Sequence, residues 1–98
     1  MKKLKLKAFN IEQGEEKLEV RYLDLLKSAV NTGKEGGFSP SEMKERLRIL
    51  EVLDKSKDEL KIEDADAKVL AKLVKEQKFV IVHQGFVDYA EEVESALS

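Results

Sequence analysis

Cysteine is absent from the 98-residue chain. No disulfide can staple it, and no thiolate can act as nucleophile or metal ligand. The absence fits a reducing compartment, so the expected location is the cytoplasm (the host's, for a phage-encoded protein). Histidine occurs once, at His83. Metal sites and general bases gather several ligands or an orienting partner, so this residue reads as structural or surface. Long apolar runs are missing too: the longest is Phe79-Val80-Ile81-Val82, against the roughly 20 residues a membrane-spanning helix needs. The basic start, Met1-Lys2-Lys3, continues as Leu4, Leu6 and Ala8 alternating with Lys5 and Lys7. A secretory leader needs a continuous apolar stretch, so none is expected. Surplus positive charge is lacking as well: 18 basic residues face 20 acidic ones, for a net charge of −2. That balance weighs against a nonspecific nucleic-acid binder.

What is present suits one small domain spanning residues 1–98, 42% hydrophobic and 39% charged, with too little chain for two independent cores. The charges are unevenly spread. Lys2, Lys3, Lys5 and Lys7 give the first ten residues a charge of +4, whereas the stretch after Lys78 carries Asp88, Glu91, Glu92 and Glu94 and no lysine or arginine. Such ends can attract each other within one chain or between copies, although solvation of a charged surface also accounts for them.

Hydrophobic periodicity supplies the elements. KLKLKAF (3–9) alternates with period two, turning Leu4, Leu6 and Ala8 to the core, and KLEVRY (17–22) does the same with Leu18, Val20 and Tyr22. With the polar NIEQGEE between them, the two read as a β-hairpin. From Tyr22 the period becomes helical and predicts a helix over 22–31, ended by Asn31-Thr32-Gly33 with glycine beyond its C-terminus. A second helix has the clearest start: Ser39 as N-cap, Pro40 first, and Glu42 third, a capping box. Phe38 and Met43 stand at the spacing of a hydrophobic staple. Met43, Leu47, Leu50 and Leu53 form its apolar stripe, widened by Ile49. ELKIE (59–63) reads as a short third strand, and a third helix over 64–77 buries Val69, Leu70, Leu73 and Val74. KFVIVHQG is a strand or an apolar connector. A last helix over 85–97 packs through Phe86, Tyr89, Ala90, Val93 and Leu97. The expected fold is α+β: an N-terminal hairpin, with a short third strand, packed against about four helices.

The stretch GKEGGFSPSEMKERL (33–47) has the composition of a phosphate-binding loop. A Walker A loop needs glycine, four residues, then Gly-Lys-Ser/Thr following a strand. Here Lys34 precedes Gly36 and Gly37, and a helix precedes the loop. Ser39 and Glu42 are expected to occupy the free N–H groups of the helix start, so the glycines read as a turn. Asp64 and Asp66 resemble the opening of a calcium loop, but Lys68 stands where a third acid belongs and Val69 where glycine is required. Helix capping explains the two acids more simply. No serine lies in a Gly-x-Ser-x-Gly elbow, and no carboxylate pair carries a sign of burial. The expectation is a non-enzymatic protein with no cofactor, no metal and no small-molecule substrate.

Two surfaces remain for partners. Phe9 falls out of phase with Leu4, Leu6 and Ala8 and is expected on the outer face of the sheet; Val52 and Val87 lie off the main stripes of their helices. These three are candidate protein-binding residues. Lys44, Arg46 and Arg48 on the second helix, with the N-terminal lysines, are the candidates for an alternative nucleic-acid contact. Glu45 and Glu51 interleave with them and weaken that field.

The stretches GGFSPSEMKERLRILEVLDK and LKIEDADAKVLAKLVKEQKF cover roughly the middle half of the chain. With Gly36-Gly37-Phe38, the Met43–Leu50 segment and the Asp64–Asp66 start, this half resembles small proteins encoded in tailed-phage and prophage gene clusters. The resemblance implies an assembly or accessory role and carries over no functional residue. The expected function is therefore protein–protein interaction, with another protein or with further copies, and a nucleic-acid-contacting regulator is the alternative.

Overall fold

The computed structural model describes all of residues 1–98. In chain order the elements are β1 (Lys2–Lys5), β2 (Ala8–Gln13), β3 (Glu16–Arg21), α1 (Tyr22–Asn31), α2 (Pro40–Lys55), β4 (Glu59–Ile62), α3 (Asp64–Lys75) and α4 (Gln84–Leu97). The fold is α+β, as the periodicity predicts. It has two separate two-stranded antiparallel sheets, β1 with β4 and β2 with β3.

The expected N-terminal hairpin is present as β2–β3, but its first strand is Ala8–Gln13 and not residues 3–9. Leu4 and Ile11 are buried, and Phe9 is partly buried against the core. Leu4 occupies an even position and the other two odd ones. Because side chains alternate along a strand, one continuous strand cannot turn all three to the same side. The chain therefore breaks at Leu6-Lys7. The Leu6 N–H donates to the Asp58 carbonyl, which extends the β1–β4 ladder, and the Tyr22 N–H donates to the Lys7 carbonyl, which extends the β2–β3 ladder, both at 2.9 Å. Most of the expected linker is strand: Asn10 pairs with Glu19 and Gln13 with Glu16. Only Gly14 and Glu15 form the turn, with Gly14 in the left-handed region at φ 63°. Ala8 and Leu18, expected in the core, are exposed.

α1 buries Tyr22, Leu26, Ala29 and Val30, one stripe at helical spacing. It ends at Thr32, whose N–H and Oγ1 both donate to the Ser28 carbonyl at 2.9 and 2.7 Å. Gly33 is not left-handed; the left-handed glycines are Gly36 and Gly37, farther along the loop.

α2 starts at the expected capping box, with the Glu42 N–H donating to Ser39 Oγ at 3.2 Å and the Ser39 N–H to Glu42 Oε1 at 3.4 Å. Its stripe is displaced from the expected one. Ile49 and Leu53 are fully buried, while Met43 and Leu47 are 50% and 63% exposed. The first two turns overhang the core. Phe38 packs beneath the Arg46 guanidinium, 4.8 Å from the ring centre.

α3 follows β4 without a side-chain cap, so Asp64 and Asp66 do not cap it. Asp64 pairs with the N-terminal amine at 3.0 Å, and buried Asp66 takes a bidentate pair from Arg48. The core joins Leu4, Leu60 and Ile62 of the first sheet to the inner faces of all four helices. The hairpin attaches through Phe9, whose ring meets Tyr22, His83 and Phe86 at centroid distances of 6.5, 5.4 and 5.2 Å.

Candidate interaction surface

Residues 78–83 (KFVIVH) lie between α3 and α4 and form no strand. Alternate side chains tie this connector to the body. Gln77, at its start, donates through Nε2 to the Leu25 carbonyl and accepts from the Tyr89 hydroxyl, both at 2.9 Å. The Phe79 ring stacks on Phe86 at 4.3 Å. His83 stacks on Phe9 and accepts the Gly85 N–H on Nδ1 at 2.9 Å, so its side chain is the N-cap of α4. That acceptor role defines the tautomer as the one with the proton on Nε2.

The intervening residues have nothing to pack on. Val80 and Val82 are fully exposed, at 102% and 104% of the reference area. The backbone bends at Val80-Ile81, and none of residues 78–82 takes part in a backbone–backbone hydrogen bond. Leaving two valines in water forgoes about 1.5–3 kcal/mol for each. The stretch is β-branched, apolar and unpaired, a combination that suits contact with another surface.

α4 follows the connector and carries an exposed stripe of its own. Val87 is 48% exposed, and Val87, Glu91 and Glu94 share one stripe at i, i+4 and i+7. Glu92, on the flank, is already engaged. It accepts from Lys7 Nζ at 2.5 Å and from the Tyr22 hydroxyl. Lys7 and Tyr22 hold its carboxyl below the usual range, while burial and the nearby carboxylate push the Tyr22 phenol well above its own. This network joins the β1–β2 link, α1 and α4, and is structural.

The glycine loop borders a cleft of about 360 Å³ lined by Ser28, Thr32, Lys34, Arg46, Lys78 and Phe79, among others. Two of its cations are occupied, Lys34 by Glu42 and Arg46 by the Val30 carbonyl at 3.0 Å and the Phe38 ring. The helix ends that reach the cleft are the C-termini of α1 and α3, the negative ends of their dipoles. This is poor ground for phosphate.

Phe9 is not on an exposed outer face; it packs between Tyr22, His83 and Phe86. Val52 is half-buried against the core, and Val87 is open. Of the basic trio, Arg46 and Arg48 are engaged within the chain and only Lys44 points free of a partner. Val80 and Val82 are the surface residues that pattern reading left out. Their signal was the four-residue apolar run between Lys78 and His83, which fits a buried strand and an exposed connector equally well. No group of three or more His, Asp or Glu side chains is gathered as a metal site, and no helix is long and apolar enough to cross a membrane. No protein-family model, curated protein or solved structure matches this chain.

Proposed function

We propose that this protein is a non-enzymatic interaction module that docks through the 78–83 connector and the exposed stripe of α4. The observation that carries the reading is the pair Val80 and Val82, fully exposed on a backbone that bonds to nothing else in the chain. Apolar side chains on an unpaired backbone are stabilised by a partner's surface and offer reacting groups no chemistry. An accessory or assembly role in a tailed phage or prophage, which the mid-chain resemblance implies, is the proposed setting.

The test replaces both valines by serine, which leaves the Phe79 and His83 ring contacts in place. Capture of a partner from the native host's extract, or concentration-dependent mass in light scattering, is expected for the wild type and not for Val80→Ser/Val82→Ser. Equal behaviour of the two proteins would overturn the reading.

The second reading, a nucleic-acid contact through Lys44, Arg46, Arg48 and the N-terminal lysines, is weakened on the helix by the internal partners of the two arginines. It requires binding at low salt that Lys44→Ala diminishes.

A further inference from the structure

We infer that the partner of this surface is a second copy of the chain, which presents the outer face of its β1–β4 sheet. The inference rests on the docking surface proposed above and adds what sits on it.

The outer sheet face follows from the register. Leu4 opposite Leu60 points to the core, so Lys3 opposite Lys61 and Lys5 opposite Glu59 point outward. All four outward residues are exposed. Lys3 and Lys61 are directly opposed like charges, an arrangement that costs stability in an isolated sheet. Lys3, Lys5 and Lys61 make no ion pair within the chain. Such a pair gains when a carboxylate surface covers it.

The docking surface supplies that chemistry. Glu91 and Glu94 stand on one stripe with Val87, also without ion pairs, and no lysine or arginine follows Lys78. Lysine side chains suit both halves of it. Their methylene stems lie along apolar groups such as Val80, Val82 and Val87, while the ammonium ends reach carboxylates. A second lysine row, Lys68, Lys72 and Lys75 on α3, lines one cleft with Glu94 of the same chain, so Glu91 is the carboxylate of the stripe that this row leaves uncovered.

Size sets the strength. α4 is about 21 Å long at 1.5 Å per residue, and β1 and β4 have four residues each. A single contact of these dimensions falls below the roughly 1,000 Å² of a stable interface. The association is therefore weak, salt-sensitive and dependent on concentration. Sheet and helix are different patches, so the contact is head-to-tail: two copies related by a two-fold axis make it twice, and an unclosed series forms a chain.

The experiment uses complementary charge reversal on exposed residues, with circular dichroism to verify folding. Sheet variant Lys3→Glu/Lys61→Glu and helix variant Glu91→Lys/Glu94→Lys are each examined alone and mixed, by light scattering and sedimentation. The wild type is expected to reach at least twice the monomer mass at low ionic strength and to return to monomer as the screening length shrinks from about 30 Å to about 3 Å. Each variant alone is expected to be monomeric, and the equimolar mixture to regain the higher mass. A wild type that stays monomeric, or a mixture that stays monomeric when the wild type associates, overturns the proposal. If Val80→Ser/Val82→Ser still abolishes partner capture in that case, the docking surface stands with a different protein on it; if it does not, both readings fall. Duplex DNA or heparin bound by a monomeric wild type and lost in the sheet variant would also overturn it, and would assign the lysine face to a polyanion.

Discussion

The Phe9 ring and Gly85 are in direct contact across the junction of hairpin and last helix. A Cβ built on Gly85 would stand 2.3 Å from Phe9 Cδ2 and 2.6 Å from Cγ. The ring cannot easily retreat, because His83 stacks on it and Phe86 meets it edge-on. This close approach seats β2 against α4.

Gly85→Ala is accordingly expected to destabilise the protein. Helix propensity alone would favour alanine by up to about 1 kcal/mol. Overpacking against a held ring, about 1–3 kcal/mol, outweighs that, with a net loss of up to about 2 kcal/mol. Urea unfolding of Gly85→Ala, Phe9→Ala and the double variant checks it. The two losses should be markedly less than additive, since alanine at position 9 removes the clash. A neutral or stabilising Gly85→Ala would show that the contact relaxes freely.

The Arg48–Asp66 pair makes an asymmetric prediction. Arg48 is 56% exposed and Asp66 8% at the side chain, so after loss of its partner the arginine is the better hydrated of the two. Arg48→Ala is therefore more damaging than Asp66→Ala. Leaving the buried Asp66 carboxylate unpartnered costs about 1–3 kcal/mol at neutral pH. The hydrogen bond from Arg48 lowers the Asp66 pKa, and Lys7 with Tyr22 lowers that of Glu92. A depressed carboxyl contributes stability above its unfolded pKa, near 4, and loses it as pH falls through the lower folded value. Thermal midpoints should hold above about pH 5 and fall in stronger acid. The gap between wild type and Arg48→Ala should close over the same range.

Much of the fold was legible because local rules and tertiary packing agree. α1 begins and ends where the change of period puts it, and α2 begins at its capping box. The expected N-terminal hairpin is present as β2 with β3, but its first strand was misplaced, for a reason also written in the sequence. The shift in parity between Leu4 and Phe9 marks two strands, and reading it as one strand with an exposed Phe9 misplaced the ring. Met43 and Leu47 were misread because periodicity reports which residues share a face, and not how far along the helix the core extends. Asp66 looked like a helix-start acid; its tie to Arg48, 18 positions away, is a long-range pairing that spacing does not encode. The exposure of Val80 and Val82 was hidden likewise, since an apolar run reads alike in a core and on a bend.

Both tyrosines should resist ionisation while the protein is folded. Burial raises the pKa of each, with Glu92 adding to the effect on Tyr22 and Tyr22 to that on Tyr89. A group whose folded pKa is raised contributes stability below its unfolded pKa, near 10, and loses it as pH climbs toward the folded value. The chain has two tyrosines and no tryptophan, so tyrosinate absorbance reports them alone. Its rise should coincide with the loss of circular dichroism in an alkaline titration. For Glu92→Gln, both transitions should move to lower pH together if the Glu92 network holds α1 to α4. An early tyrosinate signal with the fold intact would contradict this geometry.

The glycine loop makes the last prediction, because its phosphate-loop composition can be tested directly. Ser39→Ala removes the acceptor of the Glu42 N–H and is expected to cost about 1 kcal/mol. Gly37→Ala forces a side chain onto a residue at φ 77° and is expected to cost about 1–2 kcal/mol. A loop that only turns the chain gains nothing from phosphate. A loop that bound it would be stabilised by roughly 2.7 kcal/mol at a hundred times the dissociation constant. Thermal scans of wild type, Ser39→Ala and Gly37→Ala across an inorganic phosphate titration, with chloride at matched ionic strength as control, separate the two. The expected outcome is that both substitutions lower the midpoint and phosphate shifts none of the three. A phosphate-specific rise in the wild type that Gly37→Ala removes would instead make the loop a binding site.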